Sequence, residues 1–167
     1  MNTARFSDKL VAQEAALERL HDLPRPVVFT NGVFDVLHRG HVTYLEQAKA
    51  LGASLVVALN TDASAKRLGK GINENDIRPL NNQLDRASVI AALESVDLVT
   101  WFDEDTPLNI ITQLKPDTIV KGGDYDMHSL AETAVVESYG GTAVAIAFVT
   151  GYSTTALVQK IQQSAVD

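Results

Sequence analysis

The chain of 167 residues contains no cysteine, which excludes disulfide staples, thiolate zinc centres and a thiol nucleophile. It also lacks any apolar run approaching the roughly 18 residues a membrane-spanning helix needs. Met1 is not followed by the basic flank and apolar stretch of a secretory leader. Cations are scarce as well: 14 Lys and Arg stand against 21 Asp and Glu, a formal net charge of −7. A broad nucleic-acid surface depends on many exposed Lys and Arg, so no nucleic-acid partner is expected. Any anionic ligand must be met by a few local groups. Together these absences predict a soluble cytoplasmic protein with no membrane or nucleic-acid partner. What is present, 46% hydrophobic and 21% charged residues, suits one globular domain over residues 1–167.

Five apolar runs read as strands: Val27 to Phe29, Leu55 to Leu59, Leu98 to Trp101, Thr118 to Val120 and Ala143 to Val149. Each is close to continuous in apolar character, the pattern of a strand covered on both faces, so all five are expected to be central. Helical segments alternate with them. Asp8 to Leu23 is rich in helix formers and stops before Pro24 and Pro26. His41 to Leu51 puts Val42, Leu45, Ala48 and Leu51 on one side and is ended by Gly52. Leu84 to Leu93 behaves similarly, and Thr154 to Gln163 closes the chain with Leu157 and Ile161 four apart. The alternation predicts an α/β fold, a doubly wound five-stranded parallel sheet with helices on both faces. Ligands of such sheets bind beyond the carboxyl ends of the strands, where the strand order reverses. The polar stretch Lys66 to Gln83, which carries Lys66, Arg67, Lys70 and Arg78, reads as a mobile loop with local positive charge over that region.

Two of only four histidines, His38 and His41, fall three apart at a helix start with Gly40 between them. Residues three apart are neighbours on a helix, and a helix start offers unpaired amides and a positive dipole end. Imidazoles add donors whose charge switches near neutral pH. The combination suits an anion, above all a triphosphate whose charge builds during transfer; the bland alternative is an incidental polar pair. A zinc site is disfavoured, because His21 and His128 lie in other contexts and no third ligand is near in sequence. Ser153, Thr154 and Thr155 precede an apolar helix, so hydroxyls and free amides converge there, as an ordinary N-cap, a phosphate contact or both. Gly122, Gly123 and Asp124 follow a short strand, either as a simple turn or as a place where a nucleotide approaches and Asp124 accepts from ribose. Lys121 at that strand end is either solvated surface or a phosphate partner.

The block Thr30-Asn31-Gly32-Val33-Phe34-Asp35, followed by His38-Arg39-Gly40-His41, resembles the His-x-Gly-His nucleotidyltransferases. Together with Val42-Thr43-Tyr44-Leu45, Asn60-Thr61-Asp62-Ala63-Ser64, Lys121-Gly122-Gly123-Asp124-Tyr125 and Gly151-Tyr152-Ser153-Thr154-Thr155, it is similar over nearly the whole chain to the D-glycero-β-D-manno-heptose 1-phosphate adenylyltransferase family in its standalone form. The resemblance implies a Rossmann-like fold and a reaction of ATP with a heptose 1-phosphate, giving ADP-heptose and pyrophosphate for lipopolysaccharide core assembly, with Mg²⁺ as cofactor. It implies that His38, His41 and Lys121 stabilise the reacting phosphates. Thr30, Asn31, Gly32 and Phe34 would lie against the nucleotide, as would Gly40, Arg86, Gly122, Gly123, Asp124, Ser153, Thr154 and Thr155; Gly32 is equally readable as a plain turn glycine and Arg86 as an exposed helix arginine. Asn60, Asp62 and Lys70 would meet the acceptor. Asp35 is either a structural cap or a carboxylate orienting a histidine and metal-bound water, and no metal ligand is assigned. One departure stands out: glycerol phosphate cytidylyltransferases carry an arginine before the position of Gly151, where this chain has Phe148-Val149-Thr150, which disfavours CTP. The alternatives are a cytidylyltransferase or another transferase of the superfamily, a non-catalytic nucleotide-binding protein, and a tRNA synthetase fragment. A homo-oligomer is the default for a soluble protein of this kind.

Overall fold

Val27–Gly32 (β1) and Ser54–Asn60 (β2) are apolar along most of their length because the sheet is covered on both faces. In the computed structural model, which describes residues 4–69, 78–123 and 126–164, every residue of β2 is buried, as are the first four of β1. Leu98–Phe102 (β3), Thr118–Gly122 (β4) and Thr142–Ile146 (β5) complete a parallel sheet in the order β3-β2-β1-β4-β5. Val28 lies opposite Leu55 on one side and Thr118 on the other; Thr30 lies opposite Val57 and Val120.

The strand period of two divides the core. Val27, Phe29, Val56 and Ala58 face Gln13–His21 (α1), Leu108–Leu114 (α5) and Ala131–Ser138 (α6), through Ala16, Leu20, Ile110, Ile111 and Val136. Val28, Leu55, Val57 and Leu59 face Arg39–Lys49 (α2) and Gln83–Ala91 (α4), through Tyr44, Leu45, Ala48, Ala87 and Ile90. Each large side chain so buried contributes about 1.5–3 kcal/mol against chain entropy. After β1 the chain winds outward to β2 and β3, then returns past β1 to β4. The order therefore reverses between β1 and β4, which opens a crevice at their carboxyl ends.

The doubly wound parallel sheet is as expected, but five local expectations change. The segment Asp8 to Leu23 is not one helix: a 3₁₀ turn over Arg5–Lys9 and α1 flank an extended break. There Leu10 bridges Val99, and the Val11 amide donates to the Val99 carbonyl at 2.9 Å. Pairing with an edge strand outweighs helix propensity, and it covers that edge. β3 and β5 are the edge strands, so neither is central; β3 is still largely buried, whereas β5 has no fully buried residue. α2 begins at Arg39 and buries Tyr44, Leu45 and Ala48, while Val42 and Leu51 are exposed. Gly52 is required by crowding rather than capping, since a Cβ there would lie 2.6 Å from the Pro26 carbonyl oxygen. Finally, Lys66 and Arg67 belong to a helix, Asp62–Arg67 (α3), so the expected loop does not start at Lys66.

Candidate active site

β1 ends at Gly32, and the chain turns into α2 with His38 as its N-cap. The His41 amide sits between two acceptors of that residue, the His38 carbonyl at 2.9 Å and His38 Nδ1 at 3.4 Å. A neutral His38 accepting at Nδ1 carries its proton on Nε2. The two imidazoles stack, with centroids 3.8 Å apart and planes 18° from parallel. Phe34, at φ +46°, tilts its ring against His41 at 5.2 Å. Burial pushes the His41 imidazole down to about 4 and His38 adds to this, while Asp35 and the Val36 carbonyl pull weakly upward. Burial lowers His38 too. Both rings are therefore mainly neutral near pH 7, and His41 Nδ1 is buried without a hydrogen-bond partner among the described residues.

Gly40 makes room for the opposite wall. A Cβ there would come within 3.0 Å of both the His38 ring and Tyr152 Cβ. Tyr152 precedes Thr154–Ser164 (α7), whose first turn is capped by Ser153 Oγ, which accepts from the Ala156 amide at 3.1 Å. Arg39 donates to the Tyr152 hydroxyl at 3.3 Å and lies 5.5 Å over its ring. The starts of α2 and α7 are thus tied together, both opening on one cleft of about 530 Å³. Two helix starts facing one cavity offer amides and positive dipole ends to an anion.

On the β4 side, Lys121 Nζ donates to Asn31 Oδ1 at 2.7 Å and to Glu132 Oε1 at 3.3 Å. The Tyr44 hydroxyl, pushed up to about 12 by burial, hydrogen-bonds Thr30 at 2.6 Å and the Val120 carbonyl at 3.2 Å. Beneath the cleft, the Asp35 carboxylate accepts from Arg78 Nε at 2.7 Å, the Leu80 amide at 2.8 Å and the Asn81 amide at 2.9 Å. Both oxygens therefore hold residues 78–81, as a structural part requires, and the same carboxylate also acts electrostatically on His41.

A cytidylyltransferase-like family model matches residues 29–160. A D-beta-D-heptose 1-phosphate adenylyltransferase of Bordetella bronchiseptica is 60% identical over 165 residues, spanning 98% of this chain and 99% of that protein. The chain belongs to the heptose 1-phosphate adenylyltransferase family. As a member it is a nucleotidyltransferase. Another relative, the bifunctional protein HldE of Marinomonas sp., is 52% identical over 134 residues; these are 80% of this chain and 27% of that longer protein. A solved lipopolysaccharide core biosynthesis protein from Thermoplasma volcanium superposes with a TM-score of 0.60 at 29% identity, over 76% of this chain and 98% of that one. A pantothenate synthetase from Thermus thermophilus, at 18% identity and TM-score 0.54 over 84% of this chain and 62% of that one, shares the fold.

Around the cleft of this family member the structure gathers Asn31, Gly32, Phe34, Asp35, His38, Gly40, His41, Asn60, Lys121, Gly122, Ser153, Thr154 and Thr155. Four expected contacts lie elsewhere. Arg86 is 1% exposed and spends its guanidinium on the carbonyls of Val33, Asn60 and Asn81 and on the Asp62 carboxylate at 2.7 Å. It holds the loops from beneath and does not line the cleft, and neither does Asp62, its partner. The Thr30 side chain points into the core, and Gly123 turns the chain after β4 with its amide on the Ile146 carbonyl. Arg67, counted with the cationic loop, pairs with Asp105 at 2.8 Å. Lys70 and Asp124 lie outside the described residues. Glu132 lines the cleft without having been named in the sequence reading, and Tyr44 and Tyr152, quoted there only within the resembling blocks and given no role, line it too. The one signal for Glu132 was a lone acid in the apolar stretch Leu130 to Val136. Among the described residues no three His, Asp or Glu side chains group to hold a metal ion.

Proposed function

We propose that this cleft transfers the adenylyl group of ATP to D-glycero-β-D-manno-heptose 1-phosphate, releasing pyrophosphate and forming ADP-heptose for lipopolysaccharide core assembly. The observation that carries the reading is the stacked His38–His41 pair at the start of α2, facing the start of α7 across one cavity. An oxygen of the acceptor phosphate bonds to the α-phosphorus in line. The bond from that phosphorus to the bridging oxygen of the β-phosphate breaks, and its electron pair leaves on pyrophosphate. A phosphate monoester, with a second pKa near 6, is already ionised at pH 7, so its attack requires no base. Neutral histidines fit that demand. They act as positioned donors to charge developing on the α-phosphoryl and the leaving group, and His38 offers Nε2–H for this. Alignment by the two helix starts supplies the remainder, with no covalent intermediate.

The supporting residues are assigned on the same basis. Gly32, Gly40, Phe34 and Gly122 give the nucleotide close approach, Ser153, Thr154 and Thr155 meet its phosphates, Lys121 adds a fixed cation, and Asn60 faces the acceptor. Mg²⁺ enters as part of the ATP substrate. The described carboxylates do not fit a protein-held ion, with Asp35 engaged by Arg78 and Glu132 by Lys121, and no step runs through one. The enzyme works in the cytoplasm, where ATP is supplied. It self-associates, which light scattering coupled to size exclusion tests; a monomer at working concentration contradicts it.

The deciding experiment is pyrophosphate release over a matrix of nucleoside triphosphates and sugar 1-phosphates. ATP with the heptose 1-phosphate is expected to give the highest kcat/KM. A preference for CTP overturns the nucleotide assignment, and ATP binding without release on any acceptor overturns catalysis.

A further inference from the structure

Glu132 is out of place in a cleft built for anions. It is 8% exposed and lines the same cavity as His38 and His41, yet both proposed substrates carry phosphates that a carboxylate repels. Its position in the first turn of α6 fixes where that charge sits. Oε1 takes a hydrogen bond from Lys121, which is also held by Asn31. The ion pair cancels the charge but leaves the carboxylate an acceptor with spare lone pairs, because an ionised carboxylate has about four acceptor sites and no donor. The ligand group matching such a wall is neutral and rich in donors. Sugar hydroxyls have this chemistry; phosphate oxygens do not.

We propose that Glu132 accepts hydrogen bonds from hydroxyls of a bound sugar while Lys121 beside it meets the adjoining phosphate, which makes Glu132 a specificity-determining residue. The inference rests on the adenylyl-transfer reading. Both the ribose of ATP and the heptose carry hydroxyls close to a phosphate, so the shared chemistry is a phosphorylated polyol and the test has two arms. A site that pairs buried acceptors with substrate hydroxyls rejects analogues lacking them, since the acceptor is then left unmet.

The test compares wild type with Glu132→Gln by steady-state pyrophosphate release. One arm uses ATP, 2′-deoxy-ATP and 3′-deoxy-ATP with heptose 1-phosphate; the other uses ATP with heptose 1-phosphate and its monodeoxy analogues. With the fully hydroxylated pair, kcat/KM of the variant is expected to fall about tenfold, mainly through KM of one substrate, or about 1.4 kcal/mol. Wild-type discrimination against one deoxy substrate should shrink by a similar factor in the variant, as in a double-mutant cycle between a residue and the group it touches. Collapse in the nucleotide arm assigns the hydroxyls to ribose, and collapse in the acceptor arm assigns them to heptose; either supports the proposal. Equal discrimination by both proteins in both arms overturns it and leaves Glu132 as a purely structural partner of Lys121. If Glu132→Gln does not fold by circular dichroism, Glu132→Asp, which keeps the charge but withdraws it by one methylene, is read in the same way. A folded wild type that releases no pyrophosphate from any acceptor overturns both this proposal and the reading beneath it, whereas activity with unchanged discrimination overturns this one alone.

Discussion

Acidification from pH 7.5 to 5 is expected to weaken the fold through His41. The ring is pushed down to about 4 in the folded protein, mainly by burial, whereas the unfolded chain titrates it near the ordinary 6.5. Between those values the unfolded state holds the extra proton, so stability rises with pH across this window. The contribution is fully present above pH 6.5 and is lost as pH falls towards 4. The slope is about 1.4 kcal/mol per pH unit, which makes the loss about 2 kcal/mol at pH 5 and at most about 3 over the whole window. Water reaching the cleft edge of the ring reduces both figures. Urea unfolding of wild type and His41→Gln at intervals from pH 5 to 8 isolates the effect, because carboxylates common to both cancel in the difference. Wild type should lose about 2 kcal/mol more than the variant between pH 7.5 and 5. A difference that stays flat with pH refutes the argument from burial. The proposed triphosphate site supplies an internal control: a triphosphate bound against His41 would favour the charged ring, so a saturating non-hydrolysable ATP analogue should flatten the wild-type curve.

Three further outcomes test the site and its scaffold. His38→Ala should lower kcat about 100-fold or more with an unchanged far-UV spectrum, on the scale of removing one transition-state donor; wild-type turnover would contradict the donor role. Asp35→Asn removes the charged acceptor of Arg78 Nε and of two loop amides, which should cost about 3 kcal/mol and lower Tm by about 9 °C. A calorimetric shift below about 2 °C would show that residues 78–81 are held by something else. Arg86→Met leaves the carbonyls of Val33, Asn60 and Asn81 and the Asp62 carboxylate without their donor. It should therefore destabilise by about 3 kcal/mol or more while leaving the KM for ATP of the folded fraction unchanged. A stable variant with a raised KM would return Arg86 to the nucleotide.

The sheet was legible because a strand covered on both faces must be apolar along its length, and β2, from Ser54 to Asn60, follows that rule at nearly every residue. The same rule misled at β5. Thr142–Ile146 has the composition of a central strand, but its place at the edge depends on chain order in space, which no local window carries. His38, Gly40 and His41 could be brought together from spacing because their relation is local, with His38 capping the helix that carries the other two. Asp35 and Arg86 could not: their partners at Arg78 and Leu80, and at Val33 and Asn60, are brought together by tertiary folding. A buried cation and an exposed one look alike in sequence. Arg86 sits opposite the sheet on the inner face of α4 with Ala87 and Ile90, so only the acceptors around it distinguish support from catalysis.

The charge arrangement explains how a chain of net charge −7 can serve two anionic substrates. Of the described cations near the cleft, Arg78 is paired with Asp35, Lys121 shares its charge with Glu132, Arg67 is turned to Asp105 and Arg39 is held on Tyr152. Little net positive side-chain charge therefore faces the cavity from these groups. Among the described residues lining the cleft, the other donors are dipolar: the amide ends of α2 and α7 and the N–H of neutral imidazoles, groups that hold geometry without drawing anions from a distance. Such a site gains its advantage at contact, where donors meet charge that grows during transfer, and spends little on binding the ground state. It follows that kcat/KM should depend only shallowly on ionic strength, in contrast to a site steered by exposed lysines. A steep fall between 50 and 300 mM salt at about constant free Mg²⁺ would instead place long-range attraction at the centre of recognition.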